Sequence, residues 1–270
     1  YWFYTDHKQP NGLPFRYYHP AQQESIESLI YLYEVVKTRS LSDLYQRYIP
    51  AALARDVRLF QVDPCARYGI KMATGSGKTK VMTLAIAWQY FNSVIEDDPA
   101  YARTFLIIAP NVIVFERLRT DFAGGHIFKQ DPVIPKELQI YWDVQFYMRG
   151  ETERASSTGA VYLTNIQQLY DSPEKDDEEP DIMTAVLGSK PPATLDEGQD
   201  FRERILARSD YPVLVINDEA HHTHDPNSAW NQAIHSLHKA HPVGLAAQLD
   251  FSATPRYTSG ALFAWTISDY

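Results

Sequence analysis

The sequence predicts an α/β fold in which a doubly wound, mainly parallel β-sheet is flanked by helices. The first observation is a pair of continuous apolar runs, Thr104–Ala109 and Val213–Ile216, which are typical of strands buried on both faces of a parallel sheet. The second is the alternation of such runs with segments whose apolar residues recur at helical spacing. The third is that loops rich in Gly, hydroxyl or carboxylate residues directly follow predicted strands. In this fold class, ligands bind at the carboxyl ends of the strands.

The predicted elements follow one another along the chain. Residues 1–20, which are rich in aromatic residues, Pro and Gly, indicate an extended arm. Two helical segments follow at 21–37 and 42–59, the first because Ile26, Leu29 and Tyr33 recur at helical spacing. The later elements are a strand at 68–72, a helix at 78–94, a strand at 104–109, a helix at 112–122, and strands at 140–147, 160–163, 213–216 and 248–251.

Segment 171–200 interrupts this order, because it contains the acidic run Glu174–Asp181 and later the pair Pro191–Pro192. Such a composition buries too little apolar surface to fold by itself. We interpret the segment as a solvated insertion or mobile loop, and an acidic docking site is the alternative. The expected division is an N-terminal arm with helices at 1–60 and a main α/β lobe at 61–270 that contains the insertion.

The composition narrows the class of protein. A net charge of −9 and a pI near 5.4 argue against a basic protein that coats nucleic acid, although a few local cations suffice to grip phosphates. The one cysteine, Cys65, suits the reducing cytoplasm. No run approaches the roughly 20 apolar residues that span a bilayer, and the aromatic start Tyr1–Tyr4 lacks the features of a signal peptide. Because the chain carries no initiator Met, we expect it to be part of a longer protein.

The glycine-rich run Ala73–Thr79 lies between a predicted strand and a predicted helix, which is the context of a phosphate-binding loop. Its glycines let backbone N–H groups approach phosphate oxygens, and the helix start adds the positive end of its dipole. Lys78 is predicted to reach the β- and γ-phosphates of ATP, and Thr79 to hold Mg²⁺ through its hydroxyl. A chance turn is the alternative. The predicted nucleotide-binding residues of this loop are Thr74, Gly75, Ser76, Gly77, Lys78 and Thr79.

Two carboxylates, Asp218 and Glu219, follow the apolar strand at 213–216. A carboxylate at a strand end beside a phosphate-binding loop holds Mg²⁺ through its water shell, so we predict this role for Asp218. Glu219 is predicted to be the base that orients and deprotonates the attacking water. Together with Lys78 they form the predicted catalytic set. An ordinary helix N-cap is the alternative, and the complete tetrad Asp218–His221 argues against it.

Three histidines, His221, His222 and His224, stand close together after the acidic pair. Their spacing suits a set of zinc ligands poorly, and the single Cys65 adds little. We expect His221 to relay the state of the nucleotide to the next motif instead.

Six segments together resemble the motifs of superfamily 2 DEAD/DEAH-type helicases, and most closely those of the Res subunit of type III restriction enzymes. In chain order they are Tyr18–Ile26 (Q motif), Met72–Thr79 (I), Ala109–Asn111 (Ia), Leu163–Gln167 (Ib), Asn217–His222 (II) and Phe251–Arg256 (III). Motifs I, II and III are the most specific, and the six span nearly the whole chain. Met72 stands where the general phosphate-loop pattern has Gly, a departure that superfamily 2 proteins often show.

The resemblance implies a RecA-like P-loop NTPase fold, ATP and Mg²⁺ as cofactors, and an adenine contact for Gln22. The residues implied to couple the nucleotide to the grip on nucleic acid are His221, Ser252 and Thr254. Those implied to hold the sugar–phosphate backbone are Asn111, Thr164 and Asn165. The implied partners are nucleic acid, with DNA favoured over RNA, a second RecA-like lobe, and a methyltransferase subunit.

Two other functions remain open at this point: the lobe of an RNA helicase, and a nucleotide-dependent switch or scaffold that does not translocate. The tail Asp250–Tyr257 and the doubled histidine favour a DNA motor of a restriction or defence system. Motifs Ia, Ib and III argue against a pure switch, because such a protein does not need a binding site for nucleic acid. We expect the second lobe and any nuclease domain to be absent from these residues, and the isolated lobe to hydrolyse ATP slowly.

Overall fold

The structure, a computed structural model, describes residues 1–15, 18–40, 43, 47, 65–148, 156–166, 197–220, 228–253 and 262–266. Most of the helix predicted at 42–59 and most of the insertion predicted at 171–200 therefore lie outside the described residues. The same holds for His221 and Thr254, and for the other two histidines of the cluster.

The described strands form one seven-stranded sheet in which every pair of neighbours is parallel. They are β1 (Arg67–Lys71), β2 (Thr104–Ala109), β3 (Val144–Met148), β4 (Gly159–Asn165), β5 (Val213–Asn217), β6 (Leu245–Ser252) and β7 (Leu262–Thr266). Their order across the sheet is β3-β4-β2-β5-β6-β1-β7. The predicted parallel α/β sheet is confirmed.

Helices cover both faces of this sheet. Those described are α1 (Pro20–Ile30), α2 (Lys78–Ile95), α3 (Val112–Phe122), α4 (His126–Gln130), α5 (Glu197–Ala207) and α6 (Ala229–Ala240). Successive residues of a strand point to opposite faces. Accordingly, Phe105 and Ile107 of β2 belong to the core shared with α1 to α4, whereas Leu106 and Ile108 belong to the core shared with α5 and α6. The sheet is therefore doubly wound, as predicted.

Helix α1 begins with a well-defined N-terminal cap. Pro20 takes the first helical position, where its fixed φ is favourable. The His19 ring accepts the N–H of Ala21 at 3.4 Å, and the Gln22 carboxamide accepts the N–H of His19 at 3.1 Å. The helix predicted to run on to residue 37 continues as a π-helical turn, Tyr31–Val35.

Three predicted elements differ from the structure. The predicted extended arm folds back onto the lobe, because Trp2 Nε1 donates to the Val133 carbonyl at 2.7 Å and the ring packs against the core. The strand predicted at 140–147 begins only at Val144, since Lys136–Tyr141 forms a 3₁₀-helix that leaves Ile140 85% exposed. Residues 197–200, the end of the predicted insertion, are the first turn of α5.

Helices α4, α5 and α6 and strand β7 are additional to the predicted elements. Within the part of the chain that the structure describes, no helix has both the length and the hydropathy needed to cross a bilayer.

Candidate nucleotide-binding site

Strands β5, β6 and β1 lie side by side and point the same way. Their carboxyl ends therefore meet at one edge of the sheet, the edge where parallel α/β folds bind ligands. The glycine-rich loop follows β1, Asp218 and Glu219 follow β5, and Ser252 ends β6. The N–H of Met72 donates to the Ser252 carbonyl at 3.0 Å, which ties the first loop to β6. The described residues of the three most specific motifs thus lie at one edge.

The loop after β1 needs glycine at two positions. Gly75 and Gly77 have φ of 82° and 88°, a left-handed conformation that strains any residue with a Cβ. A Cβ on Gly77 would also collide with the carboxamide of Gln22. Around Gly75, by contrast, no other described atom lies within 4 Å of where a Cβ would be. The loop is therefore tight on the α1 side and open on the other side, which leaves room for a phosphate.

Lys78 begins helix α2, directly after this loop. Its Nζ donates to Oε1 of Glu219 at 2.6 Å, and the two side chains are 6% and 19% exposed. The predicted phosphate-binding cation and the predicted base are therefore in direct contact, although they come from different loops. Glu219 has φ of 50°, an uncommon conformation outside glycine, so the turn after β5 presents this residue in a strained backbone.

Asp218 is fully buried beside them. Its Oδ1 accepts the N–H of Glu219 at 3.0 Å, and its Oδ2 accepts a charge-assisted hydrogen bond from Arg117 on α3. The backbone N–H of Asp218 donates to the Ile108 carbonyl at 3.1 Å, which fixes the turn against β2. Burial raises the pKa of the Asp218 carboxyl, and the positive charges of Arg117 and Lys78 oppose that rise.

Gln22 contacts the glycine-rich loop directly. Its Nε2 donates to the Ser76 carbonyl at 2.8 Å, and its side chain is 9% exposed. The neighbouring Gln23 instead bonds to Tyr4 and Glu27 on the surface of α1. Of the two glutamines, Gln22 is therefore the one that lies at the candidate site.

The remaining predicted residues of the site take less direct positions. Thr79 follows Lys78 in the first turn of α2, and Thr74 is exposed in the loop before it. Ser252 is buried, with 1% exposure, beside the first residues of the loop. His221 and Thr254, predicted to couple the nucleotide to nucleic acid, fall outside the described residues.

A model of the family described as type III restriction enzyme, res subunit, matches residues 17–257. The chain belongs to this Res family. The match covers all six motifs and supports the ATPase lobe of a superfamily 2 helicase-like protein with a RecA-like fold. A search of curated proteins found no match.

In this Res lobe, the residues of the site fit a nucleotide with a divalent cation. Two glycines of positive φ, Lys78 and Thr79 follow one another where the loop meets α2, and the carboxylate of Asp218 is a hard oxygen donor of the kind Mg²⁺ prefers. Four charged side chains of the described residues meet here, and they form two ion pairs, Lys78 with Glu219 and Arg117 with Asp218. Either pair can open so that one of its members receives a charged group of the ligand.

The residues predicted to hold nucleic acid lie at the ends of β2 and β4, which are neighbours in the sheet. Asn111 is exposed, and its side-chain oxygen accepts the N–H of Val114 at 3.0 Å, so it caps α3. Thr164 and Asn165 are buried, with 2% and 3% exposure. Their side chains therefore do not face solvent in this structure, whereas that of Asn111 does.

Sequence reasoning left one residue of the Res lobe without a definite role. Arg117 lies on the helix that follows motif Ia, and its guanidinium pairs with Asp218. The two residues are far apart in the sequence and meet because β2, which precedes α3, lies next to β5. No spacing rule within one element could have indicated this pair.

A buried polar network lies beneath the site and was not predicted as part of it. Asp250 of β6 accepts hydrogen bonds from Arg67 at 2.5 Å, from Asn217 at 2.6 Å and from Gln248 at 2.9 Å, and Trp230 donates to Asn217 at 3.1 Å. The network links β1, β5 and β6 just below the loops that they carry. A signal was present, because Gln248 and Asp250 are polar residues within a strand that is otherwise mostly apolar.

Removing the carboxylate of this network should destabilise the lobe. Asp250→Ala removes the carboxylate that lies 2.5 Å from the Arg67 guanidinium, which is only 4% exposed, and breaking a buried ion pair costs about 3–5 kcal/mol. We expect a loss of that size in the free energy of unfolding measured with urea. Asp210→Ala, at an exposed position before β5, is the control and should change it little. Equal stability of the two variants would contradict a structural role for the network.

Proposed function

We propose that the chain is the ATP-binding and ATP-hydrolysing motor lobe of a nucleic-acid-dependent helicase or translocase that acts on DNA within a restriction enzyme. The observation that carries the proposal is the contact between Lys78 and Glu219 beside Asp218, at the edge where β1 and β5 end. A phosphate-binding cation, a base and a metal-binding carboxylate are the parts that phosphoryl transfer to water requires.

Each residue has a role that its position supports. The backbone N–H groups of the loop and Lys78 Nζ bind the phosphates, for which Lys78 leaves Glu219. Glu219 Oε1, once free of Lys78, accepts a proton from the attacking water and orients it. Asp218 and the Thr79 hydroxyl would hold Mg²⁺, which would supply charge neutralisation at the phosphates. Lys78 and Glu219 thus balance each other's charge until a nucleotide separates them.

The wider assignments rest on the family. Membership in the Res family favours DNA as the nucleic acid and a modification subunit with methyltransferase activity as a partner. We further propose that residues 1–60 form an N-terminal unit that supplies Gln22, and that 61–270 form the ATPase lobe proper. His221, Ser252 and Thr254 would couple this lobe to nucleic acid, and a second RecA-like lobe would complete the ATP site.

An ATPase assay tests the proposal. Hydrolysis by the protein is measured alone and with double-stranded DNA, single-stranded DNA or RNA, and Lys78→Ala shows the background. We expect stimulation by DNA. Stimulation by RNA alone would assign the lobe to an RNA helicase, and Mg²⁺-dependent binding of ATP with no stimulation by any nucleic acid would assign it to a nucleotide-dependent switch. Either result would overturn the proposed DNA motor.

Gln22 is proposed to read adenine and to brace the loop, so Gln22→Ala should weaken ATP binding. Loss of the bond to the Ser76 carbonyl removes roughly 1 kcal/mol, about a fivefold increase in Kd. If the carboxamide also contacts the base, the preference for ATP over GTP should fall. Equilibrium titrations with both nucleotides measure this. The matched control is Gln23→Ala, because Gln23 bonds to Tyr4 and Glu27 and not to the loop among the described residues. An equal loss of ATP binding in the control would refute the proposed role of Gln22.

A further inference from the structure

Arg117 is a cation of α3 that reaches into the nucleotide site, although α3 follows the strand whose end is assigned to nucleic acid. Its guanidinium pairs with Oδ2 of Asp218, whose Oδ1 accepts the Glu219 N–H at 3.0 Å. Both oxygens of the buried carboxylate are therefore engaged. The Arg117 side chain is 51% exposed, so it contacts solvent as well as Asp218.

Arg117 and the metal site compete for the same carboxylate. To hold hydrated Mg²⁺, Asp218 must offer an oxygen to the water shell of the ion. Oδ2 is the oxygen that Arg117 covers. Once Asp218 turns to the metal, Arg117 loses the one ion-pair partner it has among the described residues, and the field of Asp121, one turn further along α3, remains. A half-exposed guanidinium is then available at the carboxyl edge of the sheet.

A guanidinium binds a carboxylate and a phosphate with the same planar, forked set of donors. The N-cap of α3, Asn111, is exposed at the same edge and is one of the residues proposed to hold the sugar–phosphate backbone. Arg117 can therefore replace its contact to Asp218 by a contact to a phosphate at this edge.

We infer, on the basis of the function proposed above, that Arg117 is a positioning residue that exchanges Asp218 for a nucleic-acid phosphate when Mg²⁺ and ATP bind. By linkage, nucleic acid that holds Arg117 releases Asp218 and raises the affinity for Mg²⁺-ATP by the same factor. The ion pair is thus a contact that closes the site in the absence of both ligands. It couples the two sites through one side chain.

The salt dependence of DNA binding tests this exchange. The affinity for a DNA duplex is measured over a series of salt concentrations, without nucleotide and with Mg²⁺ and a non-hydrolysable ATP analogue. Each phosphate contact contributes about −0.9 to the slope of log K against log salt. We expect the analogue to make the slope of the wild-type protein steeper by about one phosphate contact, and to leave the slope of Arg117→Ala unchanged.

Arg119→Ala is a matched control, because Arg119 lies on the same helix, is also 51% exposed, and pairs only weakly with Glu116 at 3.5 Å. It should retain the nucleotide-dependent change of slope. Arg117→Gln, which can still donate to Asp218, serves as the second variant if the alanine variant does not fold, and should behave in the same way as Arg117→Ala.

Three results would overturn the inference: a wild-type slope that does not respond to the analogue, a response retained without Arg117, or one lost equally in Arg119→Ala. Failure of the proposed function appears differently, as an analogue that binds without dependence on Mg²⁺ or a protein that binds no DNA under any condition. The analogue is therefore titrated with and without EDTA in parallel.

Discussion

Lys78→Ala is expected to abolish ATP hydrolysis and to weaken nucleotide binding severely. Lys78 is only 6% exposed at the first position of α2, and its Nζ lies 2.6 Å from Glu219, so its charge is held at the end of the loop. Removing a preorganised charge that stabilises the transition state lowers kcat by about 10²–10³-fold. The loss of a phosphate contact in the ground state adds an increase in Kd. Steady-state hydrolysis and equilibrium binding measure the two effects separately.

Lys80→Ala is the control for this substitution. Lys80 lies one residue beyond Thr79 on the same helix, pairs with Asp131 and is 35% exposed. It should retain nucleotide binding and hydrolysis close to those of the wild-type protein. Because Lys78→Ala also removes the ion pair of Glu219, thermal unfolding of both variants is recorded. A folded Lys78→Ala protein that hydrolyses ATP at the wild-type rate would exclude the proposed site.

Glu219→Gln is expected to separate binding from hydrolysis. The carboxamide keeps the size of the side chain and can still accept a hydrogen bond from Lys78, but it cannot take a proton from water. Loss of a general base lowers the rate by about 10²–10⁴-fold. ATP should still bind, since the glycine-rich loop, Lys78 and Asp218 are unchanged. Single-turnover hydrolysis and binding of the same nucleotide report the two properties.

Glu116→Gln, on the exposed surface of α3, controls for the loss of a carboxylate near the site. It should hydrolyse ATP normally. Loss of ATP binding in Glu219→Gln would show that Glu219 contributes to binding rather than to hydrolysis, for example as a structural partner of Lys78. Full hydrolysis in Glu219→Gln would show that another group activates the water.

The elements best predicted from sequence are those with an unambiguous local pattern. The run Thr104–Ala109 forms a strand that begins and ends at the predicted residues, since six consecutive buried positions are typical of a strand inside a parallel sheet. Gly75 and Gly77 were recognisable because the loop requires a positive φ at both positions. The Asp218–Glu219 turn could be placed because it directly follows a continuous apolar strand.

The secondary-structure prediction was wrong where residue type and burial do not agree. Ile140 was predicted to lie in a strand, yet it is exposed on the 3₁₀-helix that precedes β3. Helix α5 starts inside a segment whose acidic composition resembles an insertion. Helix α6 did carry a signal, because Ser228 caps it and Trp230, Ile234 and Leu237 recur on one face, but its polar residues obscured the pattern.

Contacts that depend on the order of the strands could not be derived from the sequence. The pair of Arg117 with Asp218 exists because β2 and β5 are neighbours, and the network around Asp250 exists because β6 lies between β5 and β1. The sequence indicates that these strands are parallel, but their positions in the sheet follow from packing over the whole lobe.

The most direct test of the central claim is a crystal structure of the protein with Mg²⁺ and a non-hydrolysable ATP analogue. The account predicts that Lys78 Nζ leaves Glu219, 2.6 Å away in the present structure, and contacts the phosphates held by the glycine-rich loop. Asp218 should then face a water of the metal rather than Arg117. An analogue bound elsewhere, with both ion pairs intact, would contradict the account.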